Sequence, residues 1–277
     1  MNLFHNVSQQ CSQITTKTYS TSFASAIHLL HKDIRRPIYN IYGFVRFADE
    51  IVDTFHEHDK ENLLKQFKEE TYRAIRRRLS LNPILHSLQI TVNEYNIDLN
   101  LIEDFFKSME MDLSIQKYNA DKYKDYIYGS AEVVGLMCLY VFCEGNKTQY
   151  EKLRPFAQSL GAAFQKVNFL RDVKADYNQL NRIYFPGVDF SNFTECMKNK
   201  IEKEIEDDFD KAYRGILQLP LKARFGVYVA YKYYISLFKK IKNVHTSCIL
   251  EQRVRIPNYR KAMIIFRAGL KNQLNLI

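Results

Sequence analysis

Turn-forming residues are scarce in this chain. Nine glycines and six prolines make up about 5% of its 277 residues, where an average protein carries about 12%. Strand-rich folds need turn signals about every 8–12 positions, so the scarcity argues against sandwiches, barrels and propellers. Cysteine is equally uninformative as a framework. The five cysteines, at 11, 138, 143, 196 and 248, form no CxxC pair and no zinc-ligand spacing. An odd number without pattern fits free thiols in a reducing, cytoplasmic setting. The opening MNLFHNVSQQ lacks a basic stretch followed by an apolar one, so no secretory leader is expected. The longest apolar run, Val133–Cys143, has 11 residues, and a spanning helix takes about 20. A soluble or at most peripheral protein is expected.

Low-complexity segments, internal repeats of 20–50 residues and Ser/Gly linkers are also missing. The whole of 1–277 therefore reads as one domain with ample apolar material for a core. Forty Lys+Arg against 31 Asp+Glu give a net charge of +9, and it is unevenly placed. Leu221–Ile277 holds 12 basic residues and one acid, Glu251, a balance of +11; residues 1–220 sum to −2. A solvated basic surface is the bland account. The functional one is an anionic partner: nucleic acid, a negatively charged membrane face or a phosphorylated substrate.

What is present is helical periodicity. Ile34, Ile38, Ile41, Val45, Ala48 and Val52 recur every three or four residues. Further stripes run through Leu101, Phe105, Met109 and Leu113, and from Pro155 through Leu160, Phe164, Val167 and Leu170. Lys198–Leu219 has an apolar face (Ile201, Ile205, Phe209, Ala212, Ile216) and an acidic one, read as solvated rather than metal-binding. Leu221–Lys242 and Asn258–Lys271 complete the set, with breakers at Pro37, Pro83, Gly129, Gly145, Pro155, Pro186, Pro220 and Pro257. The fold class is all-α, a helical bundle.

Two acidic clusters interrupt these apolar helices. Asp49 and Asp53 lie one turn apart, with about 6 Å of axial rise between them. Like charges at this spacing destabilise a helix, and a shared divalent cation supplies a reason for them. Mg²⁺ takes a few carboxylate oxygens, keeps waters, and completes its shell with substrate phosphates. A lone DxxxD is usually a solvated pair, but here the neighbouring face is apolar and Arg46 stands one turn earlier. The second cluster repeats the idea: Asn168, Asp172 and Asp176 share one face, with Gln165 one turn before and Arg171 alongside. Facing each other across a bundle, the two clusters could clamp a Mg²⁺–diphosphate beside an apolar pocket.

At these residues the chain resembles the squalene/phytoene synthase family, most like its bacterial phytoene synthases. The segments that carry the resemblance stand in order along most of the chain. They are Ser20-Thr21-Ser22-Phe23, Tyr42 through Asp53, Met109-Glu110-Met111-Asp112-Leu113 and Tyr126 through Gly135. Leu160 through Asp176, Asn181 through Pro186, and Arg253-Val254-Arg255-Ile256-Pro257 with Lys261 follow. The resemblance implies a class I isoprenoid synthase bundle with a central cavity. It also implies head-to-head condensation of two prenyl diphosphates through a cyclopropyl diphosphate. Three positions depart from the family pattern: Glu132 and Asn181 stand where glycine is usual, and Ala175 where an acid is usual.

Residue chemistry and resemblance together assign Asp49, Asp53, Asp172 and Asp176 to Mg²⁺, or alternatively Mn²⁺, with Asn168 as a further oxygen ligand. Arg46, Arg171, Arg253, Ser20 and Ser22 are expected to hold diphosphate oxygens, with Gln165 beside them. Tyr126 and, less specifically, Tyr234 are candidates for steering a carbocation or a proton. Phe23, Ile27, Leu160, Phe164 and the run Val133–Cys143 suit a hydrocarbon tunnel, although core packing accounts for them equally well. The expected product is phytoene from two geranylgeranyl diphosphates; the alternative is squalene or dehydrosqualene from two farnesyl diphosphates, with NADPH consumed only for squalene. A non-catalytic, assembly-factor-like member is a third reading. Nucleic acid is not an expected partner, since no binding motif accompanies the basic quarter. Peripheral contact with the cytoplasmic face of an anionic membrane is expected instead, and oligomeric state stays open between monomer and weak dimer.

Overall fold

The computed structural model describes residues 1–114, 118–178, 183–188, 193–246, 249 and 253–274, with 175–178 described by backbone alone. In chain order the helices are α1 (Asn2–Tyr19), α2 (Thr21–His28), α3 (Lys32–Asp53), α4 (Lys60–Arg77), α5 (Pro83–Tyr95) and α6 (Leu99–Ser114). They continue with α7 (Ala120–Ile127), α8 (Val133–Phe142), α9 (Lys147–Asn178), α10 (Glu195–Ile216), α11 (Leu221–Lys242) and α12 (Asn258–Gln273). A π turn, Tyr128–Glu132, joins α7 to α8. No β-strand occurs among the described residues, as the scarcity of turn residues predicts.

Local chemistry sets the helix starts. The Asn82 side chain accepts from the Ile84 and Leu85 amides, with Pro83 at the first position. Asp59 caps α4, Thr194 caps α10 and Ser20 caps α2 in the same manner. Burial then follows the periodicity. On α3, Ile34, Ile38, Ile41, Ala48 and Val52 are buried; on α10, Ile201, Ile205, Phe209, Ala212 and Ile216 are. One connected cluster of buried side chains extends from Ile27 to Ala268. Helix α9 packs against α8 and α10, α1 against α3 and α5, and α11 against α2 and α12.

Three expectations are corrected. Pro155 does not begin a helix but lies inside α9, which starts two turns earlier; packing on both flanks outweighs the one hydrogen bond that proline removes. Gly129 does not break the chain's helical course but sits within the π turn. The acidic face of α10 is only partly solvated, because Lys166 of α9 bonds Asp208 at 2.9 Å and Glu204 at 3.3 Å. On α6 the fully buried stripe passes from Phe105 and Met109 to Asp112, and Leu113 packs on the core half-buried beside it.

Helix α1 is inverted in polarity. Its buried face is Ser8, Ser12 and Thr16, while Leu3, Val7 and Ile14 are exposed. Small hydroxyls allow close approach: Ser12 Oγ lies 2.6 Å from Ser87 Oγ of α5. A β-carbon at Gly43 of α3 would fall 2.9 Å from the same Ser12 oxygen. Gly129 is tighter still, since a β-carbon there would meet the Asp104 carbonyl oxygen at 2.5 Å and Ser108 Cβ at 2.8 Å. Glycine therefore lets the π turn rest directly on α6. Gly129→Ala is expected to destabilise the fold by about 1–3 kcal/mol, the usual cost of overpacking, measured as a lower midpoint in urea denaturation.

Candidate active site

A cavity of about 810 Å³ runs through the bundle, and three helices give it a polar end and an apolar end. Along α3 the lining passes from Ile38 and Ile41 through Tyr42 and Val45 to Arg46 and Asp49. Along α9 it passes from Leu153, Phe156, Leu160 and Phe164 to Gln165, Asn168 and Arg171. The segment through the π turn runs the other way, from Tyr126 and Ser130 to Val134, Cys138, Leu139 and Phe142. Each lining sequence steps by three or four residues, so one face of each helix supplies it. The apolar run Val133–Cys143 thus divides: 134, 135, 138, 139 and 142 face the cavity, while Val133, Leu136, Met137 and Val141 are buried in the surrounding core.

Most of the expected binding residues meet at the polar end. Ser20, Ser22, Phe23, Arg46, Asp49, Tyr126, Gln165, Asn168, Arg171, Tyr234 and Arg253 all line the cavity. Asp53 and Asp172 do not line it but adjoin residues that do. The side chain of Asp176 and the segment 181–182 lie outside the described residues.

On α3, Asp49 keeps 32% of its side-chain surface open. Its depth in the protein, and then the neighbouring Asp53 carboxylate, push its pKa up to about 8. Arg46 opposes that rise from 3.7 Å. The same guanidinium pairs with Glu50 and lies 4.4 Å over the Tyr19 ring. Its Nε is buried and carries no hydrogen-bond partner, a donor fit for an incoming anion.

On α9, Asp172 is gripped from two sides. Arg171 donates to both its oxygens, at 3.0 and 2.5 Å, and Arg253 donates at 2.7 and 3.3 Å. Beside it a chain of amides crosses to the π turn. Tyr234 OH donates to Asn168 Oδ1 at 3.2 Å, Asn168 to Gln165 Oε1 at 3.4 Å, and Gln165 to Ser130 Oγ at 3.2 Å. Tyr234 also stacks on Phe164 with ring centroids 3.8 Å apart. Ser20 caps α2 with its hydroxyl oxygen, and Lys261 Nζ donates to Thr21 Oγ1 at 3.1 Å.

Asp112 is a functional candidate that the motif reading passed over. It is buried, and it accepts from Tyr126 OH at 2.7 Å and from Tyr118 OH at 3.4 Å. Burial, then Asp112, holds the Tyr126 hydroxyl well above its ordinary pKa. The signal was an acid continuing the apolar stripe of α6. Glu132, expected beside the cavity, is absent from its lining. It accepts a 3.0 Å bond from Gln158 of α9 instead.

Among the described residues, no three His, Cys, Asp or Glu side chains converge into a ready-made metal centre. Of the expected five-residue set, Asp172 is bonded to two arginines and the side chain of Asp176 lies outside the described residues. Hard carboxylate oxygens on Asp49 and Asp53, crowded enough to raise one pKa, are nevertheless suited to Mg²⁺. Cys138 offers no nucleophile, since burial pushes its thiol up to about 12.

An all-helical bundle holding acids and arginines at one end of an apolar cavity suits a ligand with an anionic head and a hydrocarbon tail. The chain belongs to the squalene/phytoene synthase family, whose model matches residues 16–260. It is 27% identical over 212 residues to the 4,4'-diapophytoene synthase of Staphylococcus haemolyticus, covering 74% of this chain and 71% of that protein. It is 28% identical over 288 residues to the phytoene synthase of Arthrospira platensis, covering 94% and 92%. A crystal structure of a dehydrosqualene synthase superposes with a TM-score of 0.82 at 19% identity, over 99% of this chain and 98% of that one. The protein is a prenyltransferase of a family that condenses prenyl diphosphates head to head, and the non-catalytic reading is set aside.

The raised Asp49 pKa carries a sign. The folded state binds a proton that the unfolded state has released, so this group lowers stability as pH climbs from about 4 to about 8. Asp49→Asn is expected to melt higher than wild type at pH 8, with the difference shrinking toward pH 4. Turnover should fall by at least about 100-fold, the loss usual for a group that stabilises developing charge. Melting curves across pH and product formation check the two halves.

Proposed function

We propose that this chain joins two geranylgeranyl diphosphates head to head, through a cyclopropyl diphosphate, to give phytoene. The observation that carries the reading is the graded cavity. Its apolar wall on α9, Leu153–Phe164, extends about 17 Å by helical rise, and Ala157 and Ala212 also line the cavity. That length favours the longer chain. Farnesyl diphosphate as the substrate, giving dehydrosqualene or, with NADPH, squalene, is the second reading; the name of the Staphylococcus haemolyticus relative favours it.

Asp49 and Asp53 on one side, with Asp172, Asp176 and Asn168 on the other, would hold Mg²⁺ against the diphosphates. Bound there, the cation neutralises the departing diphosphate and so assists ionisation to an allylic cation. Arg46, Arg171 and Arg253 bind the diphosphate oxygens, the first with its spare Nε–H. Ser20 and Ser22 stand on the same rim. Phe164 and Tyr234 present stacked ring faces to the cation. Asp112 fixes the Tyr126 hydroxyl and so orients its ring at the border of the two zones. The apolar walls exclude water, which would quench a carbocation.

Purified protein incubated with Mg²⁺ and either C15 or C20 diphosphate, with and without NADPH, separates the readings by chromatography of the hydrocarbon. A C40 product without reductant is expected; a C30 product from the C15 substrate alone would replace it. Asp172→Asn should form product at least about 100-fold more slowly while keeping the wild-type circular dichroism spectrum.

A further inference from the structure

The outer face of α12 is apolar and uncovered. Tyr259, Met263, Phe266, Leu270 and, just past the helix, Leu274 are exposed by 63, 41, 67, 46 and 68%. Their spacing of three or four residues places all five on one stripe. The opposite face, with Ile264, Ile265 and buried Ala268, packs on the core. A stripe this continuous is unusual on a monomer's surface and marks an interaction site.

Charge identifies the occupant. Arg260, Arg267 and Lys271 are exposed along one flank of the stripe, and α12 contains no acid. Helix α11 adds Lys232 and Lys239 nearby; burial, then Lys271 and Lys239, press the Lys232 pKa down. Two copies meeting through this face would bring like charges together, which opposes self-association. An apolar stripe bordered by Arg and Lys, with an aromatic ring at one end, matches a helix lying in the plane of an anionic lipid surface. No described helix is long and apolar enough to cross a membrane, so in-plane binding is the geometry open to this one.

We propose that α12 docks on an anionic lipid bilayer, its Tyr259–Leu274 stripe in the acyl boundary and its basic flank on the headgroups. Asn258 and Lys261, on the helix's first turn, line the cavity. The docked helix therefore meets the lipid with its outer face and the cavity with its inner one, which places the cavity beside the lipid surface. Given the prenyl diphosphate reading above, that position lets long apolar chains pass between cavity and bilayer without crossing water.

Cosedimentation of the full chain with lipid vesicles tests this independently of catalysis. Binding to vesicles containing phosphatidylglycerol is expected, with little to pure phosphatidylcholine and a decline as salt rises. The Met263→Gln/Phe266→Gln double variant should bind at least about tenfold more weakly, since two large apolar side chains no longer enter the lipid. Arg260→Gln/Arg267→Gln should lose the preference for anionic lipid. Both variants should keep the wild-type circular dichroism spectrum and turn over detergent-dispersed substrate normally. Equal sedimentation of wild type and the apolar variant would overturn the proposal. So would a wild-type dimer in light scattering that the apolar variant converts to monomer, which would assign the stripe to a second copy. Vesicle binding without any condensation activity would leave docking standing and defeat the catalytic reading instead.

Discussion

Charge held at the edge of an apolar volume is the constraint on which the rest of this structure depends. A carboxylate placed there loses water on one side and gains repulsion from its neighbour, as Asp49 does beside Asp53. The protein answers with guanidinium groups rather than by removing the acids. Arg46 sits against Asp49 and Glu50, and Arg171 with Arg253 encloses Asp172. Such pairs contribute little net stability once desolvation is counted. Their retention fits a site whose charges are arranged for a ligand, where local destabilisation accompanies function.

Backbone geometry serves the same end. A π turn inserts an extra residue into a helix, and here it lies where the lining changes from polar to apolar. Continuous α-helix would rotate the residues after it by about 100° relative to those before. Instead Tyr126 and Ser130 ahead of Glu132, and Val134 and Cys138 after it, all meet one cavity. Gly129 makes the turn possible by letting the backbone lie on α6. A distortion of one residue thus aligns two chemically different zones.

Much of this was legible in the sequence because periodicity and pairing are local. The stripes of α3 and α10 and the span of α11 follow from spacing, while the meeting of Arg46, Asp49, Asn168 and Arg171 at one cavity was expected from spacing and family resemblance together. What failed to show depends on neighbours distant in the chain. Pro155 reads as a breaker until α8 and α10 hold both sides of α9. Asp112 stands within a family-resembling segment but has no role of its own until Tyr118 and Tyr126 converge on it. Glu132 sits on the helix that lines the cavity yet faces away from it, because Gln158 and the π turn decide its direction. The pairing of Asp172 with Arg253 spans 81 residues, and no local pattern announces it.

The inverted polarity of α1 has a mechanical consequence. Two oily helix faces tolerate sliding, because apolar contact has no preferred direction. Hydroxyl against hydroxyl does not, since a displacement of a single ångström breaks the bond. The Ser12–Ser87 contact, with Gly43 pressed on the same serine, therefore works as a key in a slot. It fixes the register of α1 against α5, with α3 seated on the same serine through Gly43. The far end of the same helix reaches the charged zone, where Thr18 and Tyr19 line the cavity and Arg46 lies over the Tyr19 ring.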